Sequence, residues 1–233
     1  MDDKDIIVNN MDLNGIEYLG FLRIMDRGTA DIIEQSEDVL FFHDTVSEVN
    51  FLACEDDELA RSVLDRHSDR ELVLITTPNK AAAEYARDKF GYEDFLECYQ
   101  YAYYGEMPEQ DPRLTLRIAD QSDLPAITEV YDLISAEEIA KVIDRGSVIM
   151  AYDGEKLVGF IGEHLEGSMG MLFIFPEHRL KGYALALERA GIKRSLDKGL
   201  IPFGQVETDN YPSLELQKRI GMTVADRPVY WTW

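Results

Sequence analysis

The sequence predicts an α/β chain made of two similar segments. Three observations predict it. Helix and strand signals alternate along all 233 residues. A polar stretch with two prolines and a glycine, Gly105 to Pro112, interrupts that alternation near the middle. The segments on either side of it end with the same order of signals. The composition, 45% hydrophobic and 29% charged, is that of a globular chain, long enough for one large domain or two small ones to bury a core. The expected domains are residues 1–110 and 111–233.

In the first segment, Leu13 to Met25 carries Ile16, Leu19 and Leu22 at helical spacing, weakened by Gly15 and Gly20. Val39 to Phe42 and Val49 to Cys54 are short apolar runs that favour strands. Asp57 to His67 reads as an amphipathic helix with Leu59, Val63 and Leu64 inward, and Leu72 to Thr76 as a buried strand. Lys80 to Phe90 is helical and stops at Gly91. Cys98 to Tyr104 is aromatic and strand-like.

The second segment opens on a strand, Leu114 to Ile118. Asp120 to Asp123 supplies caps for a helix through Leu133, and Ala136 to Asp144 is a further helix. Ser147 to Tyr152 and Leu157 to Gly162 form a hairpin around Asp153-Gly154. The order continues with strand Met169 to Phe175, helix Leu180 to Asp197, strand Phe203 to Glu207, helix Tyr211 to Ile220 and strand Val229 to Trp233. Asn79 and Asn210 open the last helix of each segment, and Gly91 and Gly221 close them. An apolar strand precedes each helix and an aromatic strand follows it. This order suggests two copies of one fold in tandem.

The net charge of -22 makes nucleic-acid binding improbable, because such a surface repels phosphates. It serves solubility and attracts cationic amines. Cys54 and Cys98 lie in apolar or aromatic stretches and have no partner at metal-ligand spacing, so two buried free thiols are expected and no metal site. The N-terminal MDDKDIIVNNMD has neither a basic region nor an apolar core of a leader, and no apolar run is long enough to span a bilayer. A soluble, cytoplasmic protein without membrane partners is expected.

The stretch that carries chemistry is Leu172 to Ala184, LFIFPEHRLKGYA. A buried strand runs into Pro176, and a basic, glycine-containing turn opens a long helix. The first N–H groups of a helix lack intrahelical partners, and the aligned dipoles add positive charge there. Such a turn is an anion site. Gly182 has no β-carbon to hold a ligand away, Ala184 is small, and Arg179 and Lys181 add charge. A phosphate or pyrophosphate is the expected ligand; a solvated basic helix start is the alternative.

These residues resemble the acyl-CoA signature of the GNAT superfamily of N-acetyltransferases, R/Q-x-x-G-x-G/A. Here it reads Arg179-Leu180-Lys181-Gly182-Tyr183-Ala184. The stretch from Asn210 through Ser213 to Gly221 and Met222 is similar to a second segment of that family. The resemblance covers the whole second segment in element order, and the layout also resembles the glycine N-acyltransferase branch. It implies two tandem domains, each a mixed, mostly antiparallel sheet flanked by helices, the second catalytic. It implies acetyl-CoA, or another acyl-CoA, as co-substrate. The amides of Arg179, Leu180, Lys181, Gly182, Tyr183 and Ala184 would cradle the pyrophosphate. Strand backbone at Phe173 and Ile174 would pair with the pantetheine arm, and the splay of that strand from the next would admit the thioester. Asn210 and Ser213 would contact the cofactor, although Asn210 reads equally as a helix cap.

The reaction implied is direct attack of an amine on the acyl carbonyl. The acceptor would be a small-molecule amine or an amino acid, and the enzyme a monomer or homodimer. The candidate bases are Glu163, Glu207 and His164. One position departs from the family pattern. Where a tyrosine often protonates the departing thiolate, four residues before the terminal glycine, this chain has Gln217. An amide cannot donate a proton in that way. Tyr211 is the substitute acid, or CoA leaves as a thiolate. A CoA-binding sensor without turnover is the competing reading. The first segment has no such turn: the matching place reads Cys54-Glu-Asp-Asp-Glu-Leu59, which would repel a pyrophosphate. It would be a degenerate copy.

Overall fold

A computed structural model describes residues 12–233. The N-terminal stretch read as lacking a leader lies, but for Asp12, outside the described residues. Two compact units are present, one running to Gln100 and taking back Ala225–Trp233, the other Tyr101–Val224. No described helix is long and apolar enough to cross a membrane.

The first unit begins with a 3-10 turn, Ile16–Tyr18, and α1, Leu19–Arg27. Strands β1 (Ala30–Ser36), β2 (Val39–Asp44) and β3 (Asn50–Ala53) follow as an antiparallel meander. Helix α2 (Asp57–Arg66) crosses to β4 (Ile75–Thr77), which lies parallel to β3, and α3 (Lys80–Phe90) leads to β5 (Phe95–Ala102). Strand β2 is buried on both faces, so its apolar residues run continuously instead of alternating with polar ones. Val39 and Phe41 pack with Val63 and Leu64 of α2 and Ala82 and Ala86 of α3. Leu40 and Phe42 pack on the opposite face with Tyr18, Phe21 and Ile24. Each such buried side chain contributes about 1.5–3 kcal/mol.

The second unit opens with β6 (Leu114–Ile118), a 3-10 turn at Gln121–Asp123, α4 (Leu124–Thr128) and α5 (Ala136–Asp144). Strands β7 (Val148–Asp153), β8 (Lys156–Glu163) and β9 (Met169–Ile174) extend the antiparallel order from β6. Helix α6 (Tyr183–Asp197) crosses to β10 (Phe203–Glu207), which is parallel to β9. Then come α7 (Tyr211–Ile220) and β11 (Thr223–Val224), which pairs with Tyr101 and Ala102 at the end of β5. Gly191 lets α6 lie close on the sheet, since a Cβ there would sit 3.0 Å from Cε of Met169 and 3.2 Å from Cδ1 of Ile161. Each unit is thus a mixed, mostly antiparallel sheet with helices against it, as expected.

The last strand, β12 (Val229–Thr232), corrects the expected organisation. It was read as the end of the second domain. It instead lies between β4 and β5 of the first unit, antiparallel to both. The boundary at residue 110 moves accordingly to Gln100, with Ala225–Trp233 returned to the first unit. A strand with two apolar faces needs a ladder on each side, and composition does not say which strands provide it.

Three smaller differences have local causes. Strand β1 escaped notice because it is a largely exposed edge strand, with a burial pattern that is not apolar. The helix expected through Leu133 stops at Thr128, and the chain leaves it to bury Tyr131. Strand β11 is only two exposed residues long. Cys54 and Cys98 are free and buried, and burial pushes the Cys54 thiol up to about 11.

Candidate active site in the second unit

The geometry begins at the end of β9. Pro176 stops the strand, a 3-10 turn spans Pro176–His178, and the chain then makes the basic turn into α6. Leu180 has φ 60° and Gly182 φ 86°, so two left-handed residues flank Lys181. Such conformations point successive N–H groups into one concavity. At Leu180 the conformation costs about 1–2 kcal/mol, and the side chain is fully exposed. Gly182 is the N-cap of α6, and no side chain caps this 15-residue helix. Its first free amides are therefore open to a ligand.

The side chains around the turn brace it. Arg179 Nε donates to the Ile174 carbonyl at 3.1 Å, and its guanidinium lies 5.8 Å from the Phe173 ring centre. Lys181 Nζ donates to the Glu177 carbonyl at 2.8 Å. Tyr183 is buried, with its hydroxyl on Asp153, and Ala184 is half-buried. The sequence reading missed one further cation. Arg113 lies 5.1 Å over the Tyr183 ring and donates to the Lys181 carbonyl at 3.2 Å. Arg113 also holds Asp111, whose carboxyl it pushes down to about 2. Its distance from the motif in sequence left no signal.

Strand β9 is irregular where it matters. Phe160 pairs with Phe173 and Gly162 with Gly170, so three steps of β9 match two of β8. Met171, with φ 51°, sits in this bulge. The parallel pairing of β9 with β10 is confined to Gly204 against Met169. Beyond that pair the two strands no longer share a ladder, so the β10-facing edge of β9 towards Ile174 has no strand partner, and its Ile174 carbonyl is taken by Arg179. Phe173 and Ile174 are half-buried there.

The other expected residues divide by position. Glu207 is half-buried at the C-terminal end of β10, beyond its one pair with β9. Asn210 caps α7, accepting from Ser213 N at 3.3 Å. Ser213 is half-buried, and Tyr211 is 70% exposed at the first position of that helix. Glu163 does not join them. It pairs with Met169 at the far end of β9, and its carboxylate is held by Lys198 at 2.9 Å and Ser195 at 3.2 Å. Those partners are at the C-terminal end of α6, ~20 Å from Gly182 at 1.5 Å per residue. An engaged carboxylate at that distance is not a base for this site. His164 lies in the same remote turn, between β8 and β9. A surface groove of about 370 Å³, lined by Leu116, Ile118, Lys193, Arg194 and Lys198 among others, is also at that end.

Two buried polar groups, Glu188 and Tyr131, were not singled out from the sequence, whereas Gln217 was. Glu188, in α6, is 7% exposed, and burial pushes its carboxyl up to about 7 against the opposing hydrogen bond from Gln217. Gln217, in α7, is 6% exposed and donates to it at 3.0 Å. Tyr131 is buried beside Phe160, and its hydroxyl meets the backbone of the bulge residue Met171. Burial raises its pKa, as do the charges of Glu166, Glu138 and Asp132. Among the described residues no group of three or more His, Cys, Asp or Glu could hold a metal ion.

Known proteins share this fold. Residues 148–232 match the family described as FR47-like protein. No curated protein is significantly similar in sequence. An X-ray structure of a Drosophila protein superposes with a TM-score of 0.71 at 13% identity, over 98% of this chain and 93% of that one. A GCN5-related N-acetyltransferase-like protein from Streptococcus suis gives 0.58 at 14% identity, over 91% and 92% of the two chains. A tandem GNAT protein from the clavulanic acid biosynthesis pathway gives 0.52 at 14% identity, over 100% and 95%. At these identities the likeness is one of fold, and the fold is that of the GCN5-related N-acetyltransferases.

Proposed function

We propose that the second unit is an acyl-CoA-dependent N-acyltransferase that moves an acetyl or other short acyl group to a small amine. The observation that carries this reading is the uncapped start of α6, reached through two left-handed residues, at the end of a strand that has parted from its parallel neighbour. An anion bound by backbone amides, with an extended arm against an unpaired strand, fits that combination.

In this reading the amides from Arg179 to Ala184 hold the pyrophosphate, with Arg113 and Lys181 adding charge. The β10-facing edge of β9 at Phe173 and Ile174 lies along the pantetheine arm, beside the Ile174 carbonyl that Arg179 holds. The N–H groups near the Met171 bulge face the thioester carbonyl and stabilise the oxyanion that forms on attack. Glu207, at the end of β10, is the base that keeps the attacking amine neutral. A cationic amine suits the net charge of -22, and the carboxylates around Tyr131 favour it locally. The first unit would be a degenerate copy that supports the sheet and binds no CoA.

A CoA sensor without turnover is the second reading, favoured by the amide Gln217 where an acid is expected. The test is calorimetric titration of acetyl-CoA into the whole protein and into Gly182→Glu. Micromolar binding lost in the variant supports the site, and release of CoA thiol with a panel of amines then separates enzyme from sensor. No binding to the native protein would overturn both readings.

A further inference from the structure

Helices α6 and α7 follow the two strands that part from each other, so both start at the same end of the sheet. Glu188 is five residues after Tyr183 and Gln217 six after Tyr211, which puts the pair ~8–9 Å below both helix starts at 1.5 Å per residue. The 3.0 Å bond between them fixes the two helices at equal depth. Residues four apart share a helix face, so Ala184 lies one turn above Glu188 and Ser213 one turn above Gln217. Ala184 and Ser213 are half-buried, whereas Glu188 and Gln217 are buried. The two helix starts therefore stand side by side, with the small residues Ala184 and Ser213 one turn above a buried carboxyl-amide pair.

The pair is incomplete as a hydrogen-bonding unit. The amide nitrogen of Gln217 donates to Glu188, but its oxygen Oε1 is buried and has no partner. Leaving such an acceptor unmet costs about 1–3 kcal/mol. A carboxylate cannot relieve it, whereas a carboxylic acid can, because only the acid has an O–H to donate. Among the described residues no cation compensates Glu188, whose pKa is raised by burial and lowered by the Gln217 bond. A neutral Glu188 leaves no uncompensated charge here and holds one proton that a nearby acceptor can take.

We propose that Glu188 is carried as a neutral acid below the two helix starts and protonates the thiolate of the departing CoA. This rests on the acyl-CoA reading of the turn. As the amine nitrogen forms its bond to the acyl carbon, the carbon–sulfur bond breaks and its electron pair goes to sulfur. The sulfur takes the proton of Glu188, leaving a carboxylate hydrogen-bonded by Gln217. The proton lost by the amine goes to Glu207 and then to solvent, and Glu188 is reprotonated from solvent once CoA leaves. Gln217 is a positioning residue that orients the acid.

The test needs no acceptor. The full-length protein labelled with carboxyl-¹³C glutamate is titrated by NMR between pH 5 and 9, with Glu188→Gln and Glu188→Asp used to assign the Glu188 signal. The titration is repeated with CoA and with desulfo-CoA, which keeps the phosphates and the arm but lacks the sulfur. Expected is a Glu188 carboxyl that is protonated at pH 6, and a midpoint moved by at least half a pH unit by CoA but not by desulfo-CoA. A Glu188 already ionised at pH 6 overturns the inference. So does an equal response to both ligands, or no response, while both bind to the turn; the acyl-CoA reading then stands. Failure of both ligands to bind overturns that reading and the inference with it.

Discussion

Helices α2 and α6 occupy the same place in the element order of the two units, after the third strand of an antiparallel meander and before a parallel strand, yet their N-termini are opposites. The start of α2 is filled by its own chain. Asp56 accepts from Leu59 N at 2.7 Å, Asp57 and Glu58 lie in the first turn, and Asn79 Nδ2 donates to Asp57 at 3.1 Å. Glu55, just before it, is held by Arg227 and Tyr18. Arg227 keeps the Glu55 carboxyl below its usual range. The first turn of α6 has no acidic residue of its own, and the nearby carboxylates are engaged, Asp111 by Arg113 and Asp153 by Tyr183. A helix start carries the same dipole in both cases. What differs is whether the chain fills it with its own carboxylates or leaves its amides uncapped.

The largest expected effect comes from making α6 resemble α2. Gly182→Glu places a carboxylate on the open amides and a side chain where φ is 86°. Acetyl-CoA affinity is expected to fall on the order of 100-fold or more by calorimetry, with the fold kept by circular dichroism.

The next prediction concerns the buried pair. Burial raises the Glu188 carboxyl to about 7, above the 4.5 of a solvated glutamate. Its stabilising contribution is present below pH 4.5 and is lost as pH rises towards 7. Stability from urea titrations should therefore fall by about 3 kcal/mol across that window. Glu188→Gln should remove this slope and be the more stable protein at pH 8. An unchanged slope would mean that another group titrates there.

Removing the cap of α2 sharpens the comparison from the other side. Asp56→Ala should cost about 1 kcal/mol of stability in denaturant unfolding and leave acetyl-CoA affinity unaltered. A loss of affinity would contradict the assignment of the site to the second unit alone. The smallest effect is expected from Arg113→Ala, which removes a partly exposed cation beside the turn. Acetyl-CoA binding should weaken about threefold to tenfold, and its dependence on salt should become shallower.

Much of the site was legible because its chemistry is local. The turn from Arg179 to Ala184, the helix it opens and the Asn210-to-Gly221 helix are each specified by residues a few positions apart. Asn210 caps α7, as its place before a helix allows, and Ser213 N is the group it caps. Glu163 illustrates the opposite case. A glutamate at a strand end resembles a base, and only the fold brings Lys198 and Ser195 to it. Arg113, Tyr131 and Glu188 had no local signature at all, since each acquires its role from a partner distant in sequence.

The sequence by itself determined the alternation of helices and strands, the uncapped basic turn into α6 and the acidic filling of its counterpart, because propensity, capping and dipole act within a few residues. Only the tertiary structure decided that β12 returns to the first unit, that β9 and β10 share a single paired position, and that Glu188 meets Gln217. Those are matters of which strand completes which ladder and which side chain loses its water. Both depend on contacts between residues far apart in the chain, which no local pattern encodes.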